Sequence, residues 1–514
     1  MTYRNPVLKG FYPDPSICRV GEDYYLVTSS FEYFPGVPLF HSRDLVHWEQ
    51  IGHCLTRKSQ LNLDKAGASG GIYAPALRFH AGRFYMITTN VSHKGHFYVY
   101  TDAIRGEWSE PVFIEGHYTG HDPDLFFDHD GKVYYTRFSW DQGILLYEID
   151  LKTGRLLTEG RSIWKGFEDR LPEAPHLYRI NGFYYLLAAE GGTWNGHMAV
   201  VARSRHVEGP YESCPYNPIL SHRALVMQPL AATGHADLVQ TPEGNWWMVF
   251  LGIRRLVEDN YHTLGRETFL APVTWTEDGW PLVNGGKPVS FEMDGQGLPM
   301  AAQNALLEEK LLTEQEEKEP VPELCHKAPG LHWNTRYNPP EKGISFDANL
   351  GCLTLSGTKA ALSDGQNVSM LCRRQQHRDF TCTVNLAFEP QKDGEEAGLC
   401  VIMNELHHYE IALRFMEGGK HLIVRRRIGD LESLVYSRPY SSESIYLSLS
   451  GDAQYYSFGE GSAADPLTRG MARYLSTEVA GGFTGVYIGL YATGSGREST
   501  VPAFFSHFQY RGKD

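Results

Sequence analysis

Four short segments place an ionisable side chain just ahead of an apolar residue. They are Tyr12-Pro13-Asp14-Pro15 before Ile17, His121-Asp122-Pro123 before Leu125, Pro172-Glu173-Ala174-Pro175 before Leu177, and Gly234-His235-Ala236-Asp237 before Leu238. A fifth, Ile72-Tyr73-Ala74-Pro75 before Leu77, carries a tyrosine instead. One Asp-Pro pair is ordinary turn chemistry. A framework that recurs while its polar residue changes points to a reaction centre. Carboxyls brought close together cannot all ionise at their usual pKa, because like charges push their proton affinities apart. One carboxyl kept protonated and one kept ionised is what cleavage of a glycosidic bond needs. Asp14, Asp122 and Glu173 are therefore the candidate reactive set. Carboxyls on different repeats, facing each other across a channel, suit the inverting separation of about 6.5–9.5 Å better than the retaining one. His235 has several readings open to it: a satisfied core residue, a holder of water or an ion, or a pocket residue.

Flat side chains lie near these motifs. Phe31 sits in the loop-like stretch Ser29–Gly36, and Tyr73, Trp140 and Trp194 follow along the chain. Rings of this kind can carry the C–H faces of a pyranose while Asp, Glu, His and Arg bind its hydroxyls.

The elements that must position these residues are legible as an internal repeat. A glycine followed by paired aromatics recurs at Gly21…Tyr24-Tyr25, Gly82…Phe84-Tyr85, Gly131…Tyr134-Tyr135, Gly182…Tyr184-Tyr185 and Gly244…Trp246-Trp247. The spacing, roughly 50–60 residues, is that of a four-stranded propeller blade with its loops. Each unit reads as a hairpin: a strand anchored by Ile17, Leu77, Leu125, Leu177 or Leu238, a glycine turn, then an aromatic strand. The segments Ser42–Trp48, Glu107-Trp108 and Pro272–Trp275 are expected in outer strands. The first strand of every blade lines the central channel, so the polar residues converge on the axis. The chain is thus expected to be all-β: a five-bladed β-propeller over residues 1–295, a linker over 296–324, and a β-sandwich of jelly-roll or concanavalin-like form over 325–514. The linker includes the acidic, helix-like stretch Asn304–Glu319.

Composition agrees with many short strands and turns. Of 514 residues, 13% are aromatic, with 30 Tyr, 52 Gly and 28 Pro. A formal charge of −14 repels phosphate backbones and argues against a nucleic-acid partner. No apolar run is long enough for a transmembrane helix, and the N-terminus reads unlike a secretory signal. The expectation is a cytoplasmic protein with no membrane partner, whose eight scattered cysteines stay reduced and whose Asn90 and Asn367 triplets escape glycosylation. Phosphate-binding loops, HExxH and GxSxG motifs and zinc-type cysteine spacing are all lacking. A hydrolase needing no organic cofactor is the remaining simple chemistry.

These residues resemble glycoside hydrolase family 43, in particular its two-domain β-xylosidases. The matching text is Asn5–Ser16, Gly70–Pro75, Asp122–Phe126, Glu173–Tyr178, Glu190–Thr193, Gly234–Val239, Leu264–Thr268 and, in the sandwich, Glu395–Leu399. The resemblance implies that Asp14 is the general base, Glu173 the general acid, and Asp122 the residue that orients the acid and keeps its pKa raised. It implies that His235 and Arg266 line the sugar subsite, that Phe31 and Tyr73 form its apolar wall, and that the sandwich supplies a loop closing the pocket. In many relatives the histidine faces a channel ion, often calcium, so His235 is the metal candidate. The implied activity is exo-acting, inverting release of D-xylose from the non-reducing ends of short β-1,4-xylo-oligosaccharides. An α-L-arabinofuranosidase or a dual enzyme is the nearest alternative, and a non-catalytic carbohydrate-binding propeller the contrasting one. Two-domain enzymes of this kind are often homo-oligomers. Two positions depart from the usual pattern: Tyr73 stands where Trp is typical, and Glu173-Ala174-Pro175 replaces Glu-Gly-Pro.

Overall fold

The computed structural model describes residues 2–114, 119–168, 171–302, 305, 329–340, 343–365, 368–461, 465–499 and 501–513. The acidic stretch Asn304–Glu319 lies, but for Ala305, outside the described residues, as do Cys325 and Asn367.

Each repeat folds into an antiparallel blade built outward from its anchored strand. Blade 1 runs Ser16–Val20, Asp23–Val27, Gly36–Ser42, Glu49–Leu55, and blade 2 runs Ala76–His80, Arg83–Asn90, Gly95–Thr101, Val112–Phe113. Blades 3 and 4 begin with Asp124–Phe127 and Glu173–Ile180, and blade 5 with Leu230–Gln240. The repeat glycines at 21, 82, 131, 182 and 244 all take positive φ, from 65° to 92°, which lets the chain reverse directly into the aromatic strand. The anchors Ile17, Leu77, Leu125, Leu177 and Leu238 are 5% exposed or less. The N-terminal segment closes the ring: Thr2–Arg4 pairs with Glu292–Asp294, and Asn5 exchanges side-chain hydrogen bonds with the backbone of Leu270. The outer-strand expectation needs correction. Ser42 ends a third strand, residues 43–48 and Glu107-Trp108 form connections, and Pro272–Trp275 completes the third strand of blade 5.

The sandwich stacks a seven-stranded sheet on an eight-stranded one, among the described residues. Strict alternation in strands such as Asp379–Ala387 turns one face to a core that includes Leu399, Ile411, Leu447 and Phe505. The eighth strand of the larger sheet is Tyr33–Phe34, from a loop of blade 1, paired with Trp333–Arg336. Propeller and sandwich therefore share a hydrogen-bonded sheet. They also share a buried cluster of Phe11, Phe31 and Tyr33 with Met370, Cys372, Cys400, Ile402 and Tyr487. Arg374 of the sandwich is fully buried in this junction, where its Nε donates to the Phe11 carbonyl at 2.7 Å and its guanidinium lies 4.5 Å from the Tyr12 ring. This junction fixes the Phe31 loop above the propeller channel. The seven described cysteines are free thiols, and no described helix is long and apolar enough to cross a membrane.

Candidate active site

Backbone geometry decides where the polar residues point. Asp14, Asp122, Ala174 and His235 sit at the same place in their blades, three residues before the apolar anchor, and all have left-handed φ, from 45° to 55°. Outside glycine this conformation costs about 1–2 kcal/mol per residue. Its recurrence at one end of the channel marks a place where the fold holds strain in order to aim side chains. Glu173 is not at the matched position, which belongs to Ala174. It stands one residue earlier, where the ladder to Phe183–Glu190 slips register between Glu173 and His176. Tyr73 is likewise one residue ahead of its blade's matched position, Ala74.

Asp14 is buried and held by three partners. Ser29 donates its hydroxyl to Oδ2, Arg266 donates Nη1 to Oδ1 at 2.7 Å, and His235 Nδ1 lies 3.6 Å from Oδ1. Burial alone would raise its pKa. The charge of Arg266 and the Ser29 hydrogen bond outweigh burial and hold Asp14 below the ordinary carboxylate value.

The opposite pair behaves differently. Burial and the negative charges of Glu173 and Asp14 push Asp122 up to about 7, with His121 opposing. Glu173 is lowered in spite of burial, because His121 both hydrogen-bonds it and sits beside it as a cation. His121 Nε2 is 3.2 Å from Glu173 Oε2 and 3.9 Å from Asp122 Oδ2. Burial works against its charge, but these carboxyls raise it to about 9. The raised carboxyl that the family resemblance implies for Glu173 thus falls on Asp122 in this arrangement. One site holds three carboxyls in mutual electrostatic range with unequal claims on protons.

An aromatic wall closes one side. The rings of Phe31 and Tyr73 are 5.2 Å apart, and Phe483 of the sandwich lies 6.2 Å from the first and 6.3 Å from the second. Arg266 stacks 5.5 Å from the Phe31 ring and donates Nη2 to the Phe483 carbonyl at 3.3 Å. Phe483 is tied down by its own N–H, which donates to Ser69 Oγ at 2.8 Å. On the other side the His121 ring packs against Tyr73, Phe138 and Trp140. Trp140 is 66% exposed and borders a recess of about 240 Å3 lined also by Ser139, Asp141, Lys165, Leu171 and Pro172, the residue before Glu173. Trp194 is 61% exposed in the loop that leads to His197, a buried imidazole whose charge state bears on Glu173.

Beneath the carboxyls a second layer fills the axis. Arg78 donates Nη2 to Asp124 at 2.6 Å and Nη1 to Asp237 at 2.8 Å, and its Nη2 lies 2.8 Å from His176 Nδ1. This layer bears on the expected channel ion. Burial lowers His235 to about 4, keeping it neutral; the carboxyls of Asp14 and Glu173 act against this, and the imidazole of His176 and the guanidinium of Arg266 act with it. The Asp237 oxygens are already taken by Arg78, Ser16 and Tyr178. Calcium takes six to eight oxygen ligands. Among the described residues His235 belongs to no group of three His, Cys, Asp or Glu side chains able to share an ion. These side chains do not form a calcium cage, and no chemistry below passes through one.

The seven candidate residues Asp14, Phe31, Tyr73, Asp122, Glu173, His235 and Arg266 are joined by these contacts into one cluster, with His121 linking Asp122 and Glu173 to Tyr73. Sequence reading overlooked His121, Ser29, His197, Phe483 and Arg78. His121 carried a signal, since it adjoins Asp122 in a motif already singled out.

Comparison with known proteins agrees with this arrangement over the whole chain. A family model described as glycosyl hydrolases family 43 matches residues 3–281, and one described as the beta xylosidase C-terminal concanavalin A-like domain matches residues 326–511. A non-reducing end α-L-arabinofuranosidase of Bacteroides ovatus is 41% identical over 99% of this chain and 95% of its own. A xylosidase/arabinosidase of Butyrivibrio fibrisolvens is 40% identical over 98% of both chains. The solved structure of a xylan β-1,4-xylosidase from Bacillus halodurans superposes with a TM-score of 0.88 at 34% identity, covering 99% of this chain and all of its own. With a catalytic propeller and an accessory sandwich both matched, the chain belongs to glycoside hydrolase family 43, among its xylosidases and arabinofuranosidases.

Proposed function

We propose that this glycoside hydrolase is an exo-acting, inverting β-xylosidase that releases D-xylose from the non-reducing ends of short β-1,4-xylo-oligosaccharides. One observation carries the reading: Asp14 is held ionised by Arg266, while Asp122 and Glu173, on other blades, share protons with His121. Asp14 takes a proton from a water whose oxygen attacks the anomeric carbon. Glu173 gives a proton to the departing glycosidic oxygen. Asp122 adjoins the acid and governs how the proton is shared. His235 and Arg266 bind the sugar and orient Asp14, and Phe31, Tyr73 and Phe483 form the wall. The aromatic wall, capped by the sandwich, supports attack at a chain end, and the recess beside Trp140 would receive the leaving portion. The enzyme acts without an organic cofactor, in the cytoplasm, on oligomers small enough to be imported.

The second reading is an α-L-arabinofuranosidase or a dual enzyme. Tyr73 favours it by adding a hydroxyl to the sugar wall, and so does the name carried by the Bacteroides relative. Two measurements decide. NMR of the first-formed sugar from xylobiose should show α-xylose. Rates on aryl β-D-xyloside and aryl α-L-arabinofuranoside should favour xylose, and a tenfold preference for arabinose reverses the assignment.

A further inference from the structure

Glu32 is a fully buried carboxyl that takes no part in the chemistry above. It follows Phe31 in the loop that the sandwich holds over the channel. The backbone around it is fixed on both sides. The Phe31 N–H donates to the Ile72 carbonyl at 2.9 Å, the Ile72 N–H donates back to the Phe31 carbonyl at 3.1 Å, and the Tyr337 N–H donates to the Glu32 carbonyl at 2.6 Å. The side chain reaches a further segment: Glu32 Oε2 accepts the Ser69 N–H at 3.0 Å, and Ser69 Oγ in turn accepts the Phe483 N–H at 2.8 Å. Oε1 looks across 3.6 Å to Nε of Arg336 in the sandwich, and Arg336 Nη2 donates to Glu405 at 2.6 Å. One oxygen of Glu32 therefore starts a two-bond relay that ends on the backbone of a wall residue.

The relay has no slack. Gly482, the residue before Phe483, takes a φ of 84°, and a Cβ there would lie 2.6 Å from Ser69 Oγ, so glycine is needed for the two segments to approach this closely. Ser69 has a left-handed φ of 60°, a strained conformation in which its N–H meets Glu32 and its hydroxyl meets Phe483. A buried N–H left without an acceptor is costly, so the Ser69 segment must follow wherever the acceptor stands.

We propose that Glu32 is a positioning residue of the sugar wall: its Oε2, acting through Ser69, sets where Phe483 stands against Phe31 and Tyr73, and so how well the sugar is held. The inference rests on the assignment of these three rings as the wall. The reacting carboxyls lie outside the relay, and Asp14 keeps its own bonds to Ser29 and to Arg266 Nη1 whatever Glu32 does. Disturbing Glu32 therefore weakens binding in the ground state and the transition state alike, which raises KM and spares kcat.

Two conservative variants separate the place of the oxygen from its charge. Glu32→Asp keeps the negative charge near Arg336 but falls one methylene short of the Ser69 N–H. Glu32→Gln loses the charge but keeps an oxygen at the same reach. On 4-nitrophenyl xyloside, Glu32→Asp should raise KM about threefold to tenfold, the scale of one hydrogen bond, with kcat nearly unchanged. Glu32→Gln should keep a KM close to the native one. Ser69→Ala cuts the second bond and should match Glu32→Asp, and the double variant should be no worse than either single one, because both break the same relay. A native KM in Glu32→Asp, a raised KM in Glu32→Gln, or effects on KM that multiply in the double variant overturn the proposal. If Glu32→Gln fails to fold, the cycle of Glu32→Asp with Ser69→Ala decides. Phe483→Ala run in parallel separates the two assignments. If it leaves KM unchanged, the wall itself is misassigned and the role of Glu32 falls with it; if it raises KM while Glu32→Asp does not, the wall stands and only Glu32 is refuted. Should the enzyme prefer the arabinofuranoside, the same comparison is read on that sugar.

Discussion

Arg266 links the base to the pocket wall: one end of its guanidinium donates to Asp14 at 2.7 Å and the other to the backbone carbonyl of Phe483 at 3.3 Å. The residue that sets the charge of Asp14 is thus positioned by the second domain. Asp14 is lowered because Arg266 and its other partners outweigh burial, so the base is ionised well below neutral pH. Removing the guanidinium in Arg266→Gln should raise Asp14 and shift the acid limb of kcat/KM upward by about 1–3 units. An aryl xyloside suits this measurement, since its rate depends little on the acid. An acid limb that stays in place would mean that His235 and Ser29 alone hold the carboxylate.

Phe483 should behave as an active-site residue although it lies beyond residue 325. Its ring meets Phe31 and Tyr73, and its backbone is held by Ser69. In Phe483→Ala the loss of ring contacts should weaken sugar binding by about 1.4 kcal/mol, a tenfold rise in KM, while the melting temperature changes little because the side chain is only half-buried. Equal loss of KM and stability would point instead to a collapsed loop.

The propeller was legible because its signals are local. A turn glycine, a following aromatic pair and an upstream anchor lie within one hairpin, and hairpins obey short-range rules. The carboxyls were legible for the same reason, as they ride on that repeat. What escaped depends on packing between distant segments. The offset of Glu173 comes from a register slip against the neighbouring strand, and no residue type announces it. Tyr33–Phe34 read as part of a loop, since their strand partner lies some 300 residues away at Thr335-Arg336. Arg78 sits in Ala-Leu-Arg-Phe-His, where alternation makes it an outward-facing strand residue, yet its long side chain reaches the axis to meet Asp124 and Asp237. His121 was in view but was read as part of the Asp122 motif.

Because Tyr33 stacks on Tyr487 with centroids 3.7 Å apart inside a shared sheet, it should couple the domains. Tyr33→Ala deletes a fully buried ring at the junction. By analogy with large aromatic truncations it should cost about 3–5 kcal/mol. It should also lower activity, since Arg266 and Phe483 lose the platform that aligns them. Thermal unfolding followed together with aryl xyloside turnover tests both. A stable variant with full activity would show that the junction does not transmit position to the site.

Arg78 offers a test of the axis that leaves the reacting groups untouched. Its guanidinium neutralises Asp124 and Asp237 in a layer where neither carboxylate is more than 2% exposed. Arg78→Leu takes the arginine from two buried carboxylates, leaving Asp124 with His176 and Asp237 with the hydroxyls of Ser16 and Tyr178, at a cost of about 3–5 kcal/mol. In the native protein Asp237 is lowered chiefly because Arg78 overcomes the effect of burial. It therefore contributes stability above the ordinary carboxylate pKa, lost only as pH falls through its still lower folded value. In the variant the sign reverses. Burial without the arginine raises the folded pKa of Asp237, so the penalty is greatest at pH 7 and relaxes as this carboxyl takes up a proton. The melting-temperature gap between native protein and variant should therefore narrow from pH 7 to pH 4.5. A gap of constant size would mean that the variant suffers from lost packing around the arginine stem, and that the charges in this layer are neutralised by something other than Arg78.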